Sequence, residues 1–215
     1  MLKFYHAPWT RGTAVFWLLE ELGVDYEMVE IDIRAEGGVP ESYRAIQPSK
    51  KVPAIELDGM VVTERAAITI FLAERFPEAG LSPAIGDVDR AAYLTMLAYC
   101  DAVIDPCVAA RFHGLDYASN DYSFGLFDDM VAYLERVLAE RPFAAGQRFT
   151  AADTQLASTI AFTMNQLKVL PERSVFVDYL ARIADRPAYQ RVQVRDTEMA
   201  MATPFFQKQF VRGEA

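Results

Sequence analysis

Thr10, Arg11 and Gly12 stand where the first apolar strand pattern gives way to a helical one. A hydroxyl and a guanidinium at the positive end of a helix can stabilise a bound thiolate. Lowering a thiol pKa by about two units requires ~2.7 kcal/mol, and one hydrogen bond to a charged group supplies ~1.5 to 3 kcal/mol. The same threonine also fits a simple helix N-cap, so both interpretations stay open.

Pro53 begins a second candidate group, in the sequence KKVPAIELDG. A bond before proline adopts the cis form at a cost of only ~0.5 to 1 kcal/mol, and proline has no N–H for an interior ladder position. The N–H and C=O of Val52 can then face outward and pair with an extended peptide, as in strand addition. A proline that merely starts a strand explains the same residue.

Glu64 and Arg65 form the third group, at the start of a predicted helix. Helix N-termini bind anions, and a guanidinium offers a two-pronged donor to a carboxylate. Glu64 can accept hydrogen bonds from an ammonium, so the pair suits the zwitterionic end of an amino acid. The alternative is a glutamate placed favourably at the helix dipole beside a solvated arginine.

The elements that position these groups follow from hydrophobic periodicity. LKFYHA indicates a strand, AVFWLLEEL indicates a helix that ends at Gly23, and alternation around Val29 indicates a second strand, parallel to the first. PAIEL and MVV flank Asp58-Gly59, which predicts a hairpin. A helix over residues 64–76 closes this unit.

The rest of the chain shows helical patterns only. Residues 77–87 contain prolines and glycines without periodicity, so we predict an α/β domain over residues 1–77, a linker over 78–87 and an all-helical domain over 88–215. Pro106 is expected to kink or divide the first long helix. Thr150 and Asp153 have the spacing of a capping box.

Composition excludes several classes of function. The net charge of −9 argues against non-specific binding to nucleic acid or to an anionic membrane. No apolar run is expected to approach the ~18 to 20 residues of a membrane span. The two histidines lie far apart, so no metal-binding spacing appears, and two cysteines fit a reducing cytoplasm better than a disulfide framework.

The motifs together resemble the glutathione S-transferase family, specifically its bacterial-type, hydroxyl-active-site, cytosolic members. The resemblance is carried by TRGTAVFWLLEELGVDYE, QPSKKVPAIELDG, TERAAITIFLAERFP and GQRFTAADTQLAS, in this order along nearly the whole chain. It implies a thioredoxin-like N-terminal domain followed by a helical bundle, with glutathione as cosubstrate, no metal, and a homodimer.

The resemblance also implies residue roles. Val52, before a cis Pro53, would pair with the cysteinyl unit, Glu64 would contact the γ-glutamyl end, and Arg65 replaces the serine usual at its position. Lys51 or Lys50 would face the glycyl carboxylate. Thr10 lies where hydroxyl-type members carry a catalytic serine, Arg11 would add positive potential, and Tyr5 competes for the role of thiol activator.

The expected activity is conjugation of the glutathione thiolate to a hydrophobic electrophile. Trp9 is expected to line the electrophile pocket, with Phe112 and His113 as possible contributors, and the tail with Phe205, Phe206 and Phe210 either covers that pocket or packs back onto the bundle. The alternatives are a non-catalytic binding or regulatory module and a glutathione-dependent isomerase or peroxidase. The sequence does not choose among electrophiles.

Overall fold

The computed structural model describes residues 1–212. Its strands are β1 Leu2–His6, β2 Tyr26–Glu30, β3 Ala54–Leu57 and β4 Met60–Thr63. Its α-helices are α1 Gly12–Leu22, α2 Arg65–Arg75, α3 Arg90–Tyr99, α4 Asp105–Phe112, α5 Phe127–Glu140, α6 Ala151–Ala161, α7 Ser174–Ala184, α8 Pro187–Ala202 and α9 Pro204–Arg212. The chain forms two compact units, one of Met1–Ile68 with Arg186–Ala215 and one of Thr69–Asp185.

The first unit contains a four-stranded sheet in the order β2-β1-β3-β4. β1 and β2 are parallel and are joined through α1, as the strand–helix–strand pattern predicts. The other two pairs are antiparallel. Asp58 and Gly59 both have positive φ in the β3–β4 turn, which confirms the predicted hairpin.

Side chains on β1 alternate between the two faces of the sheet. Phe4 and His6 lie on one face, where both rings contact Phe16 of α1. Tyr5 lies on the other face, in a cluster with Tyr43 of the 3-10 turn Glu41–Ala45 and with Ala54. This alternation decides which β1 side chains can reach the start of α1.

Helix α8 completes the first unit by packing against α1. Trp17 contacts the ring of Tyr189 with a centroid distance of 4.7 Å. Arg186 binds both carboxylate oxygens of Glu21, at 2.6 and 2.7 Å. The chain therefore returns to the first unit after Thr69–Asp185, which form the second unit. The predicted division into residues 1–77 and 88–215 does not include this return.

The second unit is helical within the described residues, as the periodicity predicts. A π-helical segment, Cys100–Ile104, separates α3 from α4, and Pro106 occupies the first turn of α4. Pro106 therefore does not divide the long helix: the helical run continues from Arg90 to Phe112, and its hydrogen-bonding pattern changes in the π-helical residues that precede Pro106. A kink at Pro106 stays a prediction. In α5 the buried residues form an apolar stripe that comprises Met130, Val131, Leu134, Val137 and Leu138.

The capping box at the start of α6 is formed in both directions. The Thr150 side chain bonds the third residue of the helix, and Asp153 Oδ2 accepts the Thr150 N–H at 2.8 Å. Asp153 Oδ1 also accepts the Ala144 N–H at 2.7 Å and the Tyr179 hydroxyl at 2.9 Å. This carboxylate therefore connects α6, α7 and the loop before α6.

The helical run Arg90–Phe112 is long and apolar enough, by length and composition, to span a membrane. This differs from the expectation that no segment approaches that length. Core helices of soluble proteins pass the same test, and this run buries Tyr93, Met96, Leu97, Cys100, Ile104 and Cys107 inside the protein. These side chains belong to the protein core, while 39% of the apolar window as a whole is buried.

Candidate functional site

The sheet register brings the three candidate groups to one end of the first unit. Tyr5 pairs with Ala54, and Ala54 pairs with Thr63. One end of the sheet therefore carries the turn after β1, the residues before β3 and the residues after β4. This end of the strands is called the shared edge below. Three non-glycine residues near that edge have positive φ: Trp9 at 54°, Lys50 at 55° and Glu64 at 65°. Such strained backbone concentrates at binding sites.

Thr10 lies in the turn between β1 and α1 with its hydroxyl doubly engaged. The hydroxyl donates to the Ala7 carbonyl at 2.7 Å and accepts the Gly12 N–H at 3.1 Å. The Thr10 carbonyl accepts the Thr13 N–H at 3.1 Å. Arg11 occupies the N-cap position of α1 and makes no side-chain cap bond. Thr10, one residue earlier and partly buried, instead supplies the acceptor for the Gly12 N–H. Thr10 therefore supports the start of α1 from outside the N-cap position, and its role at a thiol stays a prediction.

Tyr5 faces a carboxylate on the other face of the sheet. Its hydroxyl donates to Glu56 Oε2 at 3.0 Å, and Lys3 Nζ lies 3.4 Å from the same oxygen. Burial, followed by the hydrogen bond to Glu56, raises the pKa of Tyr5 above its usual value. A phenol that donates to a carboxylate in this way is poorly suited to stabilise a thiolate on the α1 side.

The Val52–Pro53 peptide bond is cis, as the sequence predicts. The strand pairing of β3 begins one residue later, at Ala54. The Val52 side chain packs on the Tyr5–Tyr43 cluster, and Tyr43 donates its hydroxyl proton to the Lys51 carbonyl at 3.1 Å. Val52 therefore lies outside the hydrogen-bonded ladder of β3, and its side chain is held by the Tyr5–Tyr43 cluster.

Gln47 connects the segment before Val52 with the end of β4, a contact that the sequence analysis missed. Its Oε1 accepts the Lys51 N–H at 3.2 Å, and its Nε2 lies 3.5 Å from Glu64 Oε1. Gln47 is itself buried. The sequence holds only a weak signal for this role, namely a glutamine before a Pro-Ser turn.

Glu64 and Arg65 differ in exposure. Glu64 is exposed, whereas Arg65 is only 5% exposed at the first position of α2. The alternative interpretation of Arg65 as a solvated arginine is therefore wrong, because its side chain is buried. Glu64 remains available on the surface of the shared edge.

The two lysines before Val52 have different surroundings. Lys50 Nζ binds Glu41 at 2.6 Å and the Val39 carbonyl at 2.9 Å. The hydrogen bond from Lys50, supported by Arg44, lowers the pKa of Glu41 to about 2. The Lys51 side chain is exposed. Lys51 is therefore the lysine better placed to receive an incoming carboxylate.

A buried carboxylate holds the turn that carries Thr10, and the sequence analysis did not anticipate it. Asp196 of α8 is 2% exposed, and its Oδ1 lies 2.7 Å from Nε2 of the fully buried His6. Its Oδ2 accepts the Thr13 hydroxyl at 2.7 Å and the Trp9 N–H at 3.2 Å. No sequence signal links positions about 190 residues apart in one unaligned chain.

Residues expected at the electrophile pocket are found in both units. Trp9 lies in the first unit, in edge-to-face contact with Phe206 at a centroid distance of 4.8 Å. In the second unit Phe112 and His113 are exposed and contact each other at 5.2 Å. The pocket assignment stays a prediction for all three residues.

The aromatic tail packs on the first unit through α9. Arg34 lies 4.6 Å from the ring centre of Phe206 and 5.3 Å from that of Phe205. The side chain of Phe210 lies outside the described part of the structure. Within residues 1–212, no group of three His, Cys, Asp or Glu side chains is arranged to hold a metal ion.

Comparisons with known proteins agree with this architecture. Residues 8–75 match the family model for the glutathione S-transferase N-terminal domain. Glutathione S-transferase 3 of Schizosaccharomyces pombe is 28% identical over 87% of this chain and 85% of its own length. A sphingomonad glutathione S-transferase, solved with glutathione, aligns with a TM-score of 0.71 at 28% identity, over 91% of this chain and 98% of its own.

A further similarity is local. Mouse maleylacetoacetate isomerase is 36% identical over 63 residues, which cover 28% of this chain and 29% of the isomerase.

Proposed function

Because the chain belongs to the glutathione S-transferase family, we propose that it is a glutathione transferase whose binding site is the shared edge of the first unit. The observation that carries this assignment is the register Tyr5–Ala54–Thr63, since it aligns the Thr10 turn, Val52 and Glu64. These are the three features required to bind a thiol, a peptide backbone and an amino-acid end.

Binding of the tripeptide uses the groups that the fold leaves at this edge. The N–H and C=O of Val52 pair with the cysteinyl unit, because Val52 stands beyond the β3 ladder. Glu64 accepts from the γ-glutamyl ammonium, while Arg65 at the start of α2 favours its carboxylate. Lys51 attracts the glycyl carboxylate.

Thiol activation is assigned to Thr10 and the N-terminus of α1. The thiol loses its proton to solvent, and the Thr10 hydroxyl turns from the Ala7 carbonyl to donate to the sulfur while it still accepts the Gly12 N–H. Arg11 adds positive potential. The thiolate then forms a C–S bond with an apolar electrophile, and a leaving group departs or the adduct carbon takes a proton.

The decisive experiment measures glutathione binding by calorimetry and thiolate formation by ultraviolet absorbance. We expect wild-type protein to bind glutathione more tightly than cysteinylglycine, which lacks the γ-glutamyl end. Thr10→Ala should lower conjugation of a generic aromatic electrophile by about 10- to 100-fold, with Thr10→Ser as the matched control that restores the hydroxyl. Absence of glutathione binding would leave only a shared scaffold.

A glutathione-dependent isomerase is the second candidate, favoured by the local 36% identity to mouse maleylacetoacetate isomerase. This reaction uses the same thiolate, which adds to a double bond and leaves after rotation. A cis-configured unsaturated diacid assayed beside the aromatic electrophile separates the two activities. Peroxide reduction and a non-catalytic module belong to the same panel, since the module would bind glutathione without turnover.

A cytoplasmic homodimer acting in detoxification completes the proposal. Cys100 and Cys107 are buried thiols that do not form a disulfide in the described part of the chain, which suits a reducing compartment. β4 is an edge strand with Met60 and Val61 49% and 43% exposed, a surface that natural proteins usually cover. Light scattering should give twice the chain mass, and a Val61→Lys variant should give a monomer.

A further inference from the structure

Three hydrogen bonds converge on the carboxylate of Asp196 from one short segment of the chain. They come from His6 at the end of β1, from the Trp9 N–H in the turn, and from the Thr13 hydroxyl in the first turn of α1. Thr10, the proposed thiol activator, lies between these donors in sequence. Asp196 therefore bonds residues that precede and follow Thr10, whose hydroxyl must point at the glutathione sulfur.

The backbone of the turn needs such support. Trp9 has a φ of 54°, a left-handed conformation that bulky residues adopt only when their surroundings impose it. The bond from its N–H to Asp196 fixes the orientation of the peptide unit before that strained residue. A carboxylate that accepts three hydrogen bonds in a buried site is a strong anchor.

His6 transmits the same constraint to the helix start. Its Nε2 donates to Asp196, which leaves Nδ1 buried without a hydrogen-bond partner among the described residues. A β-carbon at Gly12 would lie only 2.5 Å from Nδ1 and 3.2 Å from the Thr10 hydroxyl oxygen. The imidazole is thus packed against the glycine that bonds Thr10, and any rotation of the ring would disturb this contact.

We infer that Asp196 is a positioning residue for thiol activation: it fixes the β1–α1 turn from α8 and so aims the Thr10 hydroxyl at the sulfur. The inference rests on the proposed function. Asp196 makes no described contact with Thr10 itself, so its effect on the Thr10 hydroxyl passes through Trp9, Thr13 and His6. A helix from the far end of the chain thereby sets the geometry of a site in the first fifteen residues.

The direction in which Asp196→Asn changes the thiol pKa distinguishes a positioning role from a purely electrostatic one. Asp196→Asn removes a negative charge near the thiolate, and by charge alone this would lower the pKa of the bound thiol. Loss of the anchor lets the turn relax and moves the hydroxyl, which raises that pKa. A raised thiol pKa in the variant is therefore evidence of misplacement.

The test titrates bound glutathione by thiolate absorbance in Asp196→Asn and in Glu21→Gln. Glu21→Gln weakens another α1–α8 connection, the Arg186 pair, without contacting the turn. We expect about tenfold less thiolate at neutral pH in Asp196→Asn, with less than about twofold change in affinity for S-methylglutathione, whose sulfur cannot ionise. Glu21→Gln should lower the melting temperature and leave the thiol pKa unchanged.

Thr13→Val provides a milder variant that removes one donor to Asp196 and keeps the carboxylate. It should shift the thiol pKa in the same direction by a smaller amount. Equal thiol pKa values in wild type and Thr13→Val, or equal shifts in Asp196→Asn and Glu21→Gln, would overturn the inference. Failure of the proposed function appears separately, as wild-type protein that binds neither glutathione nor S-methylglutathione.

Discussion

Thr10 has a single hydroxyl proton, and in the described structure that proton is donated to the Ala7 carbonyl. Redirecting it costs one neutral hydrogen bond, worth about 1 kcal/mol, whereas donation to a thiolate returns ~1.5 to 3 kcal/mol. The balance favours the thiolate by a modest margin. Activation by Thr10 is therefore expected to depend on how well the surrounding turn holds the hydroxyl in range.

Tyr5→Phe should leave thiol activation intact. The Tyr5 phenol has a raised pKa, first from burial and then from the bond to Glu56, so it stays protonated beyond the pH at which an ordinary tyrosine ionises. We expect kcat/KM for conjugation to change less than about twofold. The apparent pKa near neutrality in its pH–rate profile should stay the same.

The check on Tyr5 is a pH–rate profile with Thr10→Ala measured in parallel. In Thr10→Ala the apparent pKa should move to higher pH, because the thiolate loses a donor. If the apparent pKa moves in Tyr5→Phe and not in Thr10→Ala, the two hydroxyls have been assigned in the wrong order.

Helix α6 begins at a buried carboxylate that accepts several hydrogen bonds. Asp153 is fully buried and accepts from the Thr150 N–H, the Ala144 N–H and the Tyr179 hydroxyl. Burial raises its pKa to about 6, although all these donors favour the charged form. The cap therefore works only while the whole set of donors stays in place.

Asp153→Ala should destabilise the protein by about 3 kcal/mol or more, since it leaves several buried donors without an acceptor. Urea unfolding measures the loss. Asp178→Ala, at an exposed position of α7, is the control and should change stability by less than about 0.5 kcal/mol. Comparable losses in the two variants would contradict the assigned role of the cap.

Helix α9 covers Trp9 through Phe206, which is 8% exposed. The only other tryptophan, Trp17, is 1% exposed. Phe206→Ala should therefore shift tryptophan emission to longer wavelength and increase quenching by acrylamide, because it uncovers Trp9 alone. Phe205→Ala, at a position 37% exposed, is the matched control; an equal response in both variants would mean that the contact with Trp9 is not responsible.

The first unit is assembled from the two ends of the chain. Arg186, the N-cap residue of α8, binds Glu21, and Arg191 and Arg195 of α8 bind Glu20 at 3.0 and 2.5 Å. These pairs join α1 to a helix that follows it by more than 160 residues. Contacts of such long sequence separation carry a large loop-closure entropy, which slows folding relative to contacts between neighbours in sequence.

A double-mutant cycle on Glu21→Gln and Arg186→Ala should give a coupling free energy of about 1 to 2 kcal/mol. Two parallel hydrogen bonds from one guanidinium, with Glu21 largely shielded from water, make this pair stronger than an exposed ion pair. Chemical denaturation of the four proteins supplies the value. A coupling below about 0.3 kcal/mol would place the pair among surface ion pairs of no consequence.

Local pattern was sufficient for the elements and for the candidate residues. The alternation around β1 and β2, Gly23 after α1, the Asp58-Gly59 turn and the Thr150–Asp153 cap all depend on neighbours within a few residues. Each can therefore be predicted from the local sequence. The grouping of Thr10, Val52 and Glu64 in one site was implied by the resemblance to the glutathione S-transferase family and not by local pattern, and the residue roles stay predictions.

Tertiary structure alone decided the state of the side chains at that edge. Arg65 is enclosed, Lys50 is bound to Glu41 while Lys51 is exposed, and Tyr5 faces Glu56 on the other face of the sheet. The anchor at Asp196 belongs here too, since its partners lie about 190 residues away. Burial and long-range contacts are properties of the folded chain, and no local periodicity records them.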